Sequence, residues 1–201
     1  MSSLFHGLVF KVANTAEREH VLAFRRKVYE RDWPHVPIDQ IVDRPDDAAY
    51  HLLASTDAGD IVASLRVVPS EQRPFDMERF ISLDGIVPEE RRPAEIGRLC
   101  VKHENRHVRS GSFVHLGMLK LAVDLSQELG ITDLLLTSLP DLRNFYRLGC
   151  FREVGITFVH STWGTVHVMR FDLVAFFDRS QDESRPVERF LKASKPSNFL
   201  L

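Results

Sequence analysis

The apolar segment ITDLLLTS, residues 131–138, most constrains what this chain can become. A strand without polar alternation expects cover on both faces, so helices must lie on two sides of a sheet. A long amphipathic helix from Phe113 to about Leu129 leads into it and is stopped by Gly130. Before that helix, IGRLCV reads as a strand and KHENRHVRSGS as a polar connection. After DLLLTS, LPDLRNFYRLG reads as a compact helix closed by Gly149.

The first half adds a strand over Leu8–Ala13 and a helix capped by Asn14, with Glu17 at the third helical position. Its run REHVLAFRRKVYERDW points Val21, Phe24 and Val28 inward, with Leu22, Arg25 and Tyr29 on an adjacent stripe. Pro34 and Pro37 end it. An acidic, Pro-containing loop with at most one short helix is expected up to Ala49. HLLAS and DIVASLRVVP, joined by TDAG, form a hairpin. The stretch from Ser70 to Glu95, broken by Pro74, Pro88 and Pro93, is expected to be a surface excursion. CFREVGITFVHSTWG and TVHVMRFDLV pair as a last hairpin.

This order calls for an α/β (α+β) fold in one core: a mixed, mostly antiparallel twisted sheet flanked by helices. Residues 1–177 would make that domain, and 178–201 a C-terminal tail with a short helix at VERFLKA and a frayed end. A Rossmann fold would need repeated strand–helix units and a Gly-rich turn, and no GxGxxG occurs.

Composition narrows the partners. The 26 Lys and Arg are balanced by 28 Asp and Glu and alternate with them, which argues against nucleic acid. No apolar run reaches the roughly 18 residues of a membrane span, and MSSLFHGLVFKVAN lacks the pattern of a secretion signal. Cys100 and Cys150 sit in apolar segments and read as reduced core thiols. Together these predict a cytoplasmic protein that is not integral to a membrane.

Several residues could carry chemistry, each with a plainer alternative. Arg106, Arg109, Ser110, Gly111 and Ser112 bring positive charge and backbone donors to a helix start, suited to a phosphate; Ser110 or Ser112 could equally be a cap. Tyr146, near Asn144 and Arg147, can serve as a general acid because its hydroxyl keeps its proton at neutral pH, or it is simply a core aromatic. Arg66 interrupts the apolar run ASLRVVP, so its charge needs a partner or a ligand. Glu95 and Arg98, three apart, share a strand face only if a bulge or irregular entry precedes Ile96. With Arg66 they could bind an amino-acid carboxylate, or be surface ion pairs. Asp43, Asp46 and Asp47 could hold an ammonium, pair with Arg25, or be solvated. Cys100, His103, His107 and His115 fit no standard zinc spacing, so no metal is expected.

Taken together, these motifs resemble a known group. The strand–loop–long helix, DLLLTS and NFYRLGCFREVG resemble the second half of a GNAT acyltransferase. FRRKVYERDW, with Arg25, Tyr29 and Trp33, is similar to the first helix of acyl-homoserine lactone synthases. Asp43 and Asp46 or Asp47 match that family's acidic pair, GDIVASLRVVP its second strand, Phe80 an apolar anchor, and EIGRLCV its Glu-x-x-Arg. The resemblance spans about residues 8 to 172. Tyr29 stands where Phe is expected, the step from Tyr29 to Trp33 is short, and RHVRSGS is not the cofactor loop of acetyl-CoA users. These departures point to the related N-acyl amino acid synthase-like group and to a long acyl chain.

The resemblance implies an N-acyltransferase moving an acyl group from acyl-CoA or acyl-acyl carrier protein to the amine of an amino acid or similar small molecule. It implies Glu95 and Tyr146 as catalytic residues, and Arg25, Trp33, Asp43, Asp46, Arg66 and Arg98 around the acceptor. The phosphopantetheine thioester would meet Cys100, Val101, Arg106, Arg109, Ser110, Gly111, Ser112 and Asn144, with Arg106 and Arg109 suited to an acidic carrier protein. Rival readings are an autoinducer (acyl-homoserine lactone) synthase, an acetyl-CoA-dependent N-acetyltransferase, and a thioester-binding module without turnover.

Overall fold

Asn14 closes both halves of a capping box with Glu17: its side chain accepts from the Glu17 amide, and the Glu17 carboxylate accepts from the Asn14 amide. That box starts α1 (Thr15–Asp32), which follows β1 (Leu8–Val12). The computed structural model describes residues 5–106, 111–179 and 185–201. α1 buries Val21, Leu22, Arg25, Val28 and Tyr29, while Phe24, expected inward, is only half-buried. An arginine on the buried stripe of an otherwise regular amphipathic helix breaks the local rule, as functional positions do.

The acidic connection holds two short pieces where at most one was expected. These are α2 (Ile38–Ile41) and a 3-10 turn over Arg44–Asp47. Then come β2 (Tyr50–Thr56) and β3 (Ile61–Pro69), antiparallel from Tyr50↔Val67 to Ser55↔Ile61, with a register shift at Ala54/Ser55. β4 (Pro93–Val101) starts three residues before the expected Ile96, since proline is tolerated as the first residue of a strand. α3 (Gly111–Leu129), β5 (Asp133–Ser138), α4 (Arg143–Leu148), β6 (Arg152–His160) and β7 (Gly164–Asp172) follow as anticipated. α5 (Leu173–Asp178) and α6 (Pro186–Lys192) precede β8 (Phe199–Leu200).

The chain divides into two units. The first comprises residues 1–67, 98–125 and 194–201. Its strands run β3-β2-β1-β8. β1 is antiparallel to β2, and β8 adds in parallel through Phe10↔Phe199 and Lys11↔Leu200. The frayed end expected from composition is therefore a strand covering an edge. Phe199 earns this place by packing: its ring stacks on Phe10 at 4.5 Å, and Phe5 meets Phe10 edge-on at 5.2 Å. The Phe10 ring lies where a Cβ on Gly117 of α3 would be, so that helix position has to be glycine.

The second unit comprises residues 68–97 and 126–193, with strands in the order β6-β7-β5-β4. β4 runs parallel to β5 from Pro93↔Asp133 to Glu95↔Leu135, and β7 pairs antiparallel with both β5 and β6. Asp133 is fully buried and accepts from Arg170 Nε at 2.7 Å. The stretch from Ser70 onward is more than a surface excursion: Phe75, Met77, Leu83 and Ile86 are buried. Among the described residues, the pairings within the two units are mixed and mostly antiparallel. None of the described helices is long and apolar enough to cross a membrane.

Candidate active site

In the first unit, α1, the Arg44–Asp47 turn, β2, β3 and β4 each deliver one charged or polar side chain to a common array. Arg25 is wholly buried; its Nη1 donates to Asp46 Oδ1 at 2.7 Å and to the Ile41 carbonyl at 3.3 Å. Asp46 also accepts from the Asp43 amide at 3.0 Å, which ties the turn together. Burial pushes the Asp46 carboxyl up. The guanidiniums of Arg25 and Arg66 outweigh that and hold it below the usual carboxylate range.

Arg66, buried on β3, donates to Asp43 and lies 3.6 Å from Asp46 Oδ1. Arg98 donates to the other Asp43 oxygen at 2.5 Å. Arg98 has φ +55°, a left-handed conformation inside a strand, which costs a non-glycine residue on the order of 1–3 kcal/mol. The irregularity that the Glu-x-x-Arg spacing requires thus falls on Arg98 itself, not before Ile96. Such a kink re-aims a side chain, and here it aims at Asp43. Asp47 stands apart, in an exposed pair with Arg18 at 2.6 Å.

Nearby in this unit, Trp33 ends α1 with its ring 5.1 Å from that of Tyr29, and Arg106 lies over it at 5.9 Å. Arg106 also donates to the Val101 carbonyl at 2.7 Å and pairs with Asp32. Cys100 is buried, and burial pushes its thiol up to about 12, so it is no nucleophile at neutral pH. Gly111 and Ser112 open α3, while Arg109 and Ser110 lie outside the described residues.

In the second unit, Glu95 is buried and accepts from two successive amides, Asp76 at 2.8 Å and Met77 at 3.2 Å, one on each oxygen. On α4, Tyr146 is half-buried and edge-on to Phe145 at 5.2 Å and Phe151 at 6.0 Å. Asn144 lines a cavity of about 500 Å³ with Arg147, Leu148, Arg152 and Arg185. Gly149 caps α4 as expected, and a positive φ follows at Cys150 (+74°). Phe80 stacks on Phe158 at 4.7 Å. Among the described residues, no group of three His, Cys, Asp or Glu side chains could hold a metal ion.

The structure therefore gathers Arg25, Asp43, Asp46, Arg66 and Arg98 into one array, and places Asn144 and Tyr146 on one helix. Sequence reasoning missed His51, which joins the array through Arg25. The hairpin register sets His51 opposite Arg66, but the register shift at Ala54/Ser55 hides this from the sequence: counting inward from the turn pairing Ser55↔Ile61 would set it opposite Leu65.

Residues 21–115 match the family described as the acetyltransferase (GNAT) domain. No curated protein matches the chain. Among solved structures, FeeM, an N-acyl amino acid synthase from uncultured soil microbes, superposes with a TM-score of 0.65 at 14% identity, covering 87% of this chain and 95% of its own. The CoA-dependent acyl-homoserine lactone synthase BjaI, solved with SAM and isopentyl-CoA, gives 0.65 at 18% identity, covering 92% and 88%. An acyl-CoA N-acyltransferase from Pseudomonas aeruginosa gives 0.56 at 20% identity, covering 82% and 97%. The fold is that of the GNAT acyltransferases.

Proposed function

We propose that this protein is an N-acyltransferase that moves a long acyl chain from a phosphopantetheine thioester, on CoA or an acyl carrier protein, to the amine of an amino acid. One observation carries the acceptor assignment. Arg25, Asp46 and Arg66 are sealed from solvent, whereas the Arg98 and Asp43 side chains keep 19% and 15% exposure and touch each other. A ligand reaching the array meets a cation and an anion side by side, the complement of a zwitterion. Arg98 would take the carboxylate, since guanidinium binds it bidentately, and Asp43 the ammonium. Arg66, Arg25 and Asp46 would fix those two in place, with Trp33 as an apolar wall.

The donor would bind where α3 begins, its phosphates on the backbone donors around Gly111 and Ser112 and on Arg109 and Ser110, with Arg106 released from Asp32 to join them. Cys100 and Val101 would run beside the pantetheine, and Asn144 would bond its amide groups. The acceptor's ammonium would give up its proton, through water, to Glu95. The amine attacks the thioester carbonyl, the C–N bond forms as the C–S bond breaks, and strand N–H groups hold the oxyanion. Tyr146 would pass its proton to the departing thiolate.

The test is a product screen. The purified protein is incubated with acyl-CoAs from acetyl to long-chain and with acyl carrier protein thioesters, together with pooled amino acids and S-adenosylmethionine, and products are read by mass spectrometry. Long-chain N-acyl amino acids are expected. An acyl-homoserine lactone would move the protein to the autoinducer branch, acetylated product alone would make it an N-acetyltransferase, and saturable thioester binding without any product would make it a binding module.

A further inference from the structure

The buried ring of His51 has no part in that mechanism, yet its geometry is tightly determined. His51 lies on β2 with 3% of its surface exposed. Nδ1 is 3.3 Å from Arg25 Nη2, and Nε2 is 2.9 Å from the backbone carbonyl of Asp46. Arginine can only donate and a carbonyl can only accept. Nδ1 must therefore accept and Nε2 must carry the hydrogen, which defines a neutral ring in one tautomer. Through these two bonds His51 clamps α1 to the Arg44–Asp47 turn, which carries Asp46 and is capped by Asp43.

The charged groups facing the ring come from three elements. Arg25 and Arg18 belong to α1, Asp46 to the turn, and Arg66 is the cross-strand partner on β3. Asp46 Oδ1, 3.9 Å from Nδ1, favours a proton there. Burial opposes it first, then the arginines, and together they hold the ring's pKa below its ordinary value. A proton on Nδ1 would face the Arg25 guanidinium, replacing a hydrogen bond by a like-charge contact.

We propose that His51 is a positioning residue for the acceptor site: its neutral Nε2–H form holds the Arg44–Asp47 turn so that Asp43 is presented to Arg66 and Arg98, and protonation loosens that presentation. The proposal rests on the acceptor reading given above for the same array. It makes acceptor affinity, and not donor affinity or turnover, the quantity that depends on His51 and falls as His51 gains a proton.

The experiment uses the whole 201-residue chain, decanoyl-CoA as donor and an equimolar pool of the twenty L-amino acids as acceptor. His51→Asn keeps an acceptor near the Nδ1 position, His51→Gln keeps a donor near Nε2, and His51→Phe keeps neither. The Phe variant is expected to raise the acceptor's half-saturation about tenfold, with kcat and the donor's half-saturation within about twofold; Asn and Gln should fall between. Wild-type acceptor half-saturation rises as pH drops below the usual histidine range, and that dependence disappears in His51→Asn. Equal half-saturation and an equal pH profile in all four proteins would overturn the proposal.

A second readout needs no turnover and uses ¹⁵N-labelled histidine and amide exchange in the wild type and His51→Asn. The proposal expects a neutral Nε2–H ring at pH 7 and, as pH falls, faster exchange of the Asp46 amide in the wild type alone. A protonated ring or the other tautomer at pH 7 would sink it. If this readout holds while the product screen is silent, the acyltransferase reading fails and the clamp itself stands.

Discussion

Arg98 reaches Asp43 Oδ2 at 2.5 Å from a backbone turned to φ +55° in the middle of β4. Strain and ion pair are two sides of one arrangement: a regular strand residue at this position would aim its side chain elsewhere. Glycine adopts this φ freely, whereas alanine does not. Arg98→Gly should therefore be more stable than Arg98→Ala by about 1 kcal/mol, measured by urea unfolding. Both should raise the acceptor's half-saturation at least tenfold, since both lose the guanidinium. Equal stability of the two would show that the backbone there is unstrained.

Asp46 and Arg25 form a sealed pair, at 1% and 0% exposure. Removing one charge of such a pair leaves the other buried without compensation, so Asp46→Asn should cost about 3–5 kcal/mol of unfolding free energy.

The same site sets a pH dependence. Asp46 has a folded pKa below its unfolded one, so its contribution is present above the carboxylate range and is lost as pH falls below about 4. His51 is also depressed. For a base this means that the unfolded chain binds the proton first, so stability falls with pH from about 6.5 downward. Urea unfolding of the wild type between pH 7.5 and 5 should show this loss, and His51→Asn should show a shallower slope. Identical slopes would mean that His51 titrates alike in the folded and unfolded chain.

Tyr146→Phe keeps the edge-on contacts with Phe145 and Phe151 and removes only the hydroxyl. If that hydroxyl protonates the leaving thiolate, kcat should drop by roughly 100-fold or more, with donor and acceptor half-saturation little changed. Unaltered kcat would return Tyr146 to a packing role.

Cys100, pushed by burial from an ordinary 9.0 to about 12, should resist alkylation. At pH 8 its thiolate fraction is lower by about a thousandfold, so iodoacetamide should label it only as the chain unfolds. Labelling of the native protein at the rate of a free thiol would contradict the burial.

Much of the fold was legible because local signals agreed. The Asn14–Glu17 box, the TDAG turn, Gly130 and the apolar DLLLTS each mark an element that the structure contains. What escaped depends on contacts distant in sequence. β8 forms because Phe199 stacks on Phe10, 189 residues earlier, and no local pattern announces it. Phe75 and Met77 are buried although their segment is polar and broken by proline, because neighbouring amides are engaged by Glu95.

The candidate array shows the same divide. Arg66 is a charge inside an apolar run, which calls for a partner or a ligand, whereas the full burial of Arg25 follows from packing that its stripe on α1 does not reveal. That Asp43 meets both Arg98 and Arg66 depends on the left-handed turn at Arg98, which no residue type there advertises. His51 has the sequence context of an ordinary strand residue; only the β2–β3 register and its two ring partners distinguish it.

The most direct test of the central claim is thiol release from decanoyl-CoA and decanoyl-acyl carrier protein, followed with and without pooled L-amino acids, and again with the corresponding amino acid amides. The account predicts release that requires the amino acids and falls steeply with the amides, because Arg98 then loses its carboxylate partner. Release that is indifferent to the acceptor, or equal with acids and amides, would contradict it.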